Sequence, residues 1–282
     1  MRLSFLLVRR VPPRPSLVLV EVFADLRRRG YEVEAGIPED QVRRPDDLGP
    51  DHDLYVLKSH TELALSLAAV LHDRGARLLN PYPSCLLAQD KITAVARLRA
   101  AGVPAPRSWV TGDLSLLRAE AAERPLVVKP HRGHRGAGVV VVRGPGDLDR
   151  LALDLVPEQP VIVQEFVPGD GLDTKLYVVG DEVFCVRKPF SADSFTRPGV
   201  PAPVTPELED LARRCGRAFG LGLYGLDVVE GPDGPVVVDV NYFPGYKGVP
   251  GVAPLIAEYV AGCAEGRYRL EPSPHAAATT PA

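Results

Sequence analysis

The chain has 282 residues, 45% of them hydrophobic and 24% charged, and a formal net charge of -3, the make-up of an ordinary globular protein. That balance excludes bulk attraction to nucleic acid, so any basic site must be local. The longest apolar runs, such as LALSLAAVL at residues 63–71, fall far short of the roughly 20 residues a membrane span needs, and MRLSFLLVRR is too short for a secretory signal, so a cytoplasmic protein with no membrane partner is expected.

Residues 1–88 alternate strands and helices. LSFLLV reads as a strand, SLVLVEVFADLRRRG as an amphipathic helix ended by Gly30, and YEVEAGI as a strand. The unit repeats as DLYVLKS, then TELALSLAAVLHDRG capped by Thr61 and closed by Gly75, then ARLLN. This pattern predicts a parallel α/β domain. Residues 89–165 read as the helix QDKITAVARLRAAG, the boundary VPAPRSWV, the strand PLVVKP, a Gly/Arg/His stretch, the strand GVVVV, a short helix, and PVIVQEFV. Residues 166–270 give the strands TKLYVVG and EVFCVRK, a polar loop at 189–206, a helix at 207–219, and the strands GLYGLDVVE and GPVVVDVNYF. The polar stretch 190–203 is long for a plain connection and is expected to be either a lid or an insertion. Residues 271–282, EPSPHAAATTPA, are expected to be a loose tail. Cys85, Cys185, Cys215 and Cys263 have no paired spacing, so buried free thiols are expected rather than a disulfide framework.

Three places carry chemistry. The last two strands flank a turn on PDG, and if Gly231 pairs with Pro235, Asp227 falls opposite Asp239 with Asn241 on the same side. Opposed carboxylates repel, and hard oxygen donors on one wall suit Mg²⁺. Leu226, Val228, Val238 and Val240 would then face the core. The second place is PLVVKPHRGHRGAGVVVV, where Lys129 at a strand end precedes Gly133, Gly136 and Gly138. An ammonium followed by a loop able to turn its backbone N–H groups inward suits phosphate. It is neither a Walker A loop nor the dinucleotide fingerprint. His131 and His134 lack the second ligand pair a zinc site needs. The third is Lys91 at a helix start, where the dipole disfavours a cation unless an anion is near. Gln164, Glu165, Phe166 and Val167 end a buried strand that could offer backbone groups to an adenine edge, with Asp173 and Lys175 on one face of the next strand. Taken singly, each has a plainer account: a solvated lysine, a glycine-rich hairpin, an acidic turn residue.

In order, Lys91 before GVPAP, Lys129 before the glycine loop, QEFV, DTKLYVVG, and then Asp227, Asp239 and Asn241 resemble the ATP-grasp superfamily over essentially the whole chain. The resemblance implies an N-terminal α/β domain followed by two α+β subdomains that clamp ATP. It implies that Lys91 and Lys129 hold the α- and β-phosphates, that the loop from Arg132 to Gly138 covers the β/γ end, and that Glu165 and Val167 bond adenine through their backbone. Asp173 would lie near the ribose or phosphates. Asp227, Asp239 and Asn241 would ligate Mg²⁺, with Mn²⁺ as a substitute, and Arg187 or Lys188 would face the transferring phosphoryl group. LYVLKSHTELALSLA is similar to RimK-type ligases, whereas DVNYFPGY and VRKPFS are similar to inositol 1,3,4-trisphosphate 5/6-kinases. Asp239 departs from the glutamate usual in the ligases. The expected acceptor is a small molecule, a carboxylate ligated to an amine or a polyanionic alcohol. Against the polyanion stands the weak basicity of the N-terminal domain, where Lys58 and His60 are the only obvious cleft-side positive residues, unless Arg132, His134, Arg135, Lys188, Arg197 and Lys247 supply the charge.

Overall fold

The structure, a computed structural model, describes residues 1–9, 16–133, 138–152, 160–189 and 199–271. The polar stretch at 190–198, the tail at 272–282, and Gly136 with His134 and Arg135 lie outside the described residues.

The chain begins with strand β1 (Arg2–Leu7), helix α1 (Leu17–Arg28), β2 (Glu32–Gly36), β3 (Leu54–Lys58), α2 (Glu62–Asp73) and β4 (Leu78–Leu79). These strands form a parallel sheet in the order β2-β1-β3-β4. Thr61 caps α2 as its pattern predicts, its hydroxyl accepting from the Ala64 N–H. Helices α3 (Tyr82–Gln89) and α4 (Lys91–Ala100) follow. The next part contains β5 (Ser108–Thr111), α5 (Arg118–Glu123), β6 (Leu126–Pro130), β7 (Val140–Val142), α6 (Pro145–Ala152) and β8 (Val161–Glu165), whose strands pair antiparallel in the order β5-β8-β6-β7. The last part contains β9 (Leu172–Val179), β10 (Glu182–Pro189), β11 (Val200–Ala202), α7 (Pro206–Phe219), β12 (Leu223–Gly231), β13 (Gly234–Tyr242) and α8 (Val252–Ala264). Its antiparallel sheet runs β11-β10-β9-β12-β13.

Three apolar clusters hold these layers. One joins α2, α3 and α4 to α7 and to one face of the five-stranded sheet through Leu65, Leu98, Leu211, Leu176 and Val240. A second packs α1, α8 and the first sheet against Tyr177, Val186 and Leu223 on the sheet's other face. The third, with Leu114, Leu126, Leu148 and Val163, sits under the four-stranded sheet alone. Helix α4, which stands at the start of the stretch read as the middle part, gives Ala94 and Leu98 to the core cluster that also holds residues of α7.

The first and last sheets are also locked by Asn80, which is fully buried. Its Oδ1 accepts from the N–H groups of Gly222 (2.8 Å) and Leu223 (3.1 Å), and its Nδ2 donates to the Leu223 carbonyl (2.7 Å). Removing the amide takes a partner from the Gly222 and Leu223 N–H groups, at about 1–3 kcal/mol each before relaxation, while the Leu223 carbonyl keeps the Phe243 N–H. Asn80→Ala is expected to cost about 3 kcal/mol net, read as a lower urea midpoint with an unchanged slope.

Candidate active site

The charged residues collect on the face of the five-stranded sheet that also carries Tyr177, Val186 and Leu223, and strand alternation decides which of them reach it. Lys188 of β10 stands opposite Asp173 of β9, Lys175 of β9 opposite Asp227 of β12, and Asp227 opposite Asp239 of β13. Asn241 follows Asp239 by two positions and shares its face. The ammonium groups interleave with the acids: Lys188 Nζ lies 3.5 Å from Asp173 Oδ2, Lys175 Nζ 3.5 Å from Asp173 Oδ1, and Lys175 Nζ donates to Asp227 Oδ1 at 2.6 Å.

The turn that sets this register differs from the expected one. Gly231 pairs with Gly234, not Pro235, leaving the two-residue loop Pro232-Asp233. Carried along the hairpin, that pairing would set Asp227 opposite Val238. A bulge between Asp227 and Val228 inserts the extra residue and restores the Asp227–Asp239 pair. Val237, not Val238, therefore turns into the core with Leu226, Val228 and Val240. The Val238 carbonyl at the bulge accepts from Lys129 Nζ at 3.1 Å. A backbone irregularity in the acidic strand thereby anchors a lysine from the facing sheet.

Lys91 occupies the first turn of α4, behind the cap made by Asp90, whose Oδ1 accepts from the Ile92 and Thr93 N–H groups. Its N–H donates to the His131 carbonyl at 2.8 Å and its Nζ to the Gly133 carbonyl at 3.0 Å, so it ties the start of the glycine loop to the helix. At the loop's far end Gly138 has φ +71°, and a Cβ there would fall 2.8 Å from Pro130 Cγ. Arg132 turns its guanidinium to Glu62 Oε2 (3.3 Å) and Asp90 Oδ2 (3.9 Å). His131 is committed to the Pro160 carbonyl through Nδ1.

Burial pushes the Asp239 carboxyl above the usual carboxylate range; Lys91 opposes that push and Asp227 adds to it. Burial likewise lowers the Lys129 ammonium, with Asp239 opposing and Lys91 adding. For Lys175 burial pulls down, but Asp227 and Asp173 outweigh it and hold the ammonium above the ordinary lysine range. Lys91, Lys129, Asp227 and Asp239 thus feel one another, and four lysines face three aspartates. Among the described residues no group of three or more His, Cys, Asp or Glu forms a cation site by itself. Two opposed carboxylates with a nearby amide oxygen fit Mg²⁺, which is commonly held by one or two carboxylates together with substrate phosphates.

Arg187, expected with Lys188 at the transferring phosphoryl group, is on the opposite face. It stands across from Thr174, which is fully buried against the core, and its Nη2 donates to Glu230 Oε1 at 2.8 Å. At the end of β8, the buried Gln164 side chain donates to Ser108 Oγ (3.2 Å), and the Glu165 N–H is taken by the Arg107 carbonyl (2.9 Å). The Glu165 carbonyl and the Val167 N–H are therefore the backbone groups to consider for a base, with Phe166 between them exposed.

The Phe243-Pro244-Gly245 corner ends the strand as the Pro-Gly pair predicts, and it is more constrained than that signal implies. Phe243 (φ 38°) and Tyr246 (φ 49°) are left-handed non-glycine residues, both buried. They are held by the Phe243 N–H to the Leu223 carbonyl (2.7 Å) and by the Tyr246 hydroxyl to the Val178 carbonyl (2.7 Å). Strain of this kind persists only where the surroundings over-determine it, and it concentrates at ligand sites.

A profile of the ATP-grasp domain family matches residues 88–244. A protein of Xanthomonas campestris pv. campestris named as a probable alpha-L-glutamate ligase is 31% identical over 212 residues, covering 69% of this chain and 71% of that one. The crystal structure of a RimK domain ATP-grasp protein from Sphaerobacter thermophilus superposes with a TM-score of 0.75 at 25% identity, over 93% of this chain and 100% of that one. The D-alanine–D-alanine ligase of Bacillus anthracis, solved with ATP, gives 0.73 at 18% identity over 95% and 98%, a likeness of fold.

Proposed function

This chain belongs to the ATP-grasp family and is an ATP-dependent ligase, and from that premise we propose that it joins a carboxylate to an amine through an acyl phosphate made with MgATP on the face carrying Asp227 and Asp239. The observation that carries the reading is the register pair itself: two carboxylates brought into opposition by a bulge, with Lys91, Lys129, Lys175 and Lys188 around them. Lys91 and Lys129 would hold the α- and β-phosphates. The adenine would lie against Val127 and Val141, which pair on the face of the four-stranded sheet opposite its core residues Leu126, Val128 and Val142, with its edge at the Glu165 carbonyl and the Val167 N–H.

Asp227, Asp239 and Asn241 would hold Mg²⁺, which when bound neutralises charge on the phosphate oxygens. Lys175 would exchange Asp227 for the γ-phosphate, and Lys188 would meet the charge that develops there. The acceptor carboxylate oxygen attacks the γ-phosphorus, the bond to the β–γ bridging oxygen breaks, and ADP leaves. The amine nitrogen then attacks the acyl carbon, phosphate leaves, and the amine's proton passes to solvent. No side chain need become covalently bonded, because positioning and charge neutralisation suffice. The glutamate named for the curated relative makes amino-acid carboxylates and amines the first substrates to try.

Hydroxylamine trapping tests this. With MgATP and a panel of carboxylates, hydroxamate and ADP are expected together. A stable phosphate ester formed from a polyanionic alcohol, without hydroxamate from any carboxylate, would instead mark a kinase.

Lys129→Met is expected to weaken ATP binding about 30-fold by calorimetry, the loss of one charge-assisted contact at about 2 kcal/mol. The fold should persist, since the methionine keeps the stem and removes an ammonium that burial already disfavours. A collapsed melting temperature would identify Lys129 as structural instead.

A further inference from the structure

Resting on the ligase reading, we propose that Tyr177 is a further catalytic residue, its hydroxyl donating to the carbonyl oxygen of the acyl phosphate while the amine attacks. The register places it at the border of the charged face. Lys175, Asp227 and Asp239 form one row across β9, β12 and β13, and Tyr177, Gly225 and Asn241 form the next, about 7 Å further along the strands. Tyr177 is the last polar side chain of β9 before Val178 and Val179 take the strand into the core.

The corner after Asn241 builds the wall around it. Gly225, between Tyr177 and Asn241, lies under Pro244: a Cβ at Gly225 would fall 3.0 Å from Pro244 Cγ. The Tyr246 ring lies against the Tyr177 ring with centroids 5.4 Å apart. The corner with its left-handed Phe243 and Tyr246 thus fixes the phenol beside the row that carries the proposed metal and phosphoryl position.

What singles Tyr177 out is its hydroxyl. Tyr224, Tyr242 and Tyr246, also buried, give theirs to the carbonyls of Ala212 (2.8 Å), Ser59 (2.8 Å) and Val178 (2.7 Å). Tyr177 is only 7% exposed, yet among the described residues none accepts from its hydroxyl, and the charges that oxygen feels are Lys175 first, then Asp227 and Asp173. A buried hydroxyl without a partner costs stability unless a ligand completes it. Burial pushes the phenol up to about 12, so it serves as a donor and not as a base. In the ligase reading Lys91, Lys129 and Lys175 already meet the phosphate oxygens. The acyl carbonyl oxygen is neutral until the amine attacks and the C=O electron pair moves onto it, and a neutral donor favours that oxyanion over the ground state. As the oxyanion collapses, phosphate leaves, the nitrogen's proton passes to solvent and Tyr177 keeps its own.

Tyr177→Phe removes the oxygen and keeps the ring. The test is a single turnover of the full-length chain, in excess over ATP, with Mg²⁺, a panel of amino-acid carboxylates and hydroxylamine, following ADP and hydroxamate by rapid quench. The variant is expected to form ADP within about three-fold of the wild-type rate and hydroxamate about 10²-fold more slowly, the loss that removal of one oxyanion donor brings. Its melting temperature should not fall, because no protein acceptor loses a bond, whereas Tyr246→Phe, which gives up the Val178 carbonyl, should melt lower. Loss of both phases, loss of neither, or a melting temperature that falls with Tyr177→Phe overturns the proposal. The ligase reading fails separately: a wild-type chain that makes a phosphate ester and no hydroxamate has no carbonyl step, and the role of Tyr177 falls with it.

Discussion

Asp239→Asn is expected to reduce MgATP-dependent turnover by at least about 10³-fold, some 4 kcal/mol of barrier, while raising the melting temperature of the nucleotide-free protein. Both effects come from one geometry. Asp227 and Asp239 oppose each other across the β12–β13 pair, and burial is the largest influence on Asp239, holding its carboxyl above the usual range even with Lys91, Lys129 and Lys175 nearby. A carboxyl whose folded pKa exceeds its unfolded value costs stability once it ionises. The cost is absent below the unfolded value of about 3.9 and complete only above the raised folded one. The variant's advantage should therefore be nil at low pH and grow as pH rises, reaching about 2–4 °C if the relief is near 1 kcal/mol. The amide keeps an oxygen but not the charge that a divalent cation bridging phosphates needs, so turnover falls as stability rises. Calorimetric melts across pH, with steady-state assays at saturating Mg²⁺, read both. Unchanged turnover would remove Asp239 from the metal site.

Much of this was legible in the chain, and the reasons for the rest are local. The alternation of strands and helices in residues 1–79 shows both amphipathic periods plainly, and the three-part architecture follows from the order of the elements. Helix α3 escaped because it is short and carries Pro83 near its start, where proline is tolerated but reads as a breaker. Helix α8 escaped because it is buried nearly all round and so lacks an amphipathic stripe. Strands β5 and β11 are only 4 and 3 residues long, inside stretches that read as a boundary and a loop.

The acidic pair was predicted correctly through two compensating departures. The loop is one residue shorter than expected, and the bulge beside Val238 is one residue longer. A valine within a run of valines gives no sign of a bulge. The constrained corner at Phe243 and Tyr246 has no local signature either, because neither residue type favours the left-handed region and only the surrounding contacts hold them there.

The assignment of Arg187 and Lys188 was decidable from the chain, and it leads to the second large expected effect. Adjacent strand residues point to opposite faces, and the Gly180-Asp181 turn between β9 and β10 fixes which face is which. It pairs Val179 with Glu182, which carries Lys188 opposite Asp173 and Arg187 opposite Thr174. Lys188 is nearly buried on the site face, and its ammonium is 3.5 Å from Asp173. A cation so placed is free of the entropy cost of searching for the developing charge, and an equivalent guanidinium in other phosphoryl-transfer sites contributes about 10³–10⁵ in rate. Lys188→Met is accordingly expected to lower kcat about 10³-fold while changing the affinity for ATP only a few-fold, because the loss is concentrated in the transition state. Asp173 keeps Lys175 as a partner, so the fold should tolerate the change. Arg187→Met should leave kcat within about three-fold. Its partner Glu230 is partly exposed, and pairs of that kind contribute at most about 1 kcal/mol, so the melting temperature should move only slightly. Paired measurement of kcat and ATP affinity in the two variants separates the faces. If Arg187→Met loses as much rate as Lys188→Met, transmission through the sheet or a different active face must replace the arrangement described.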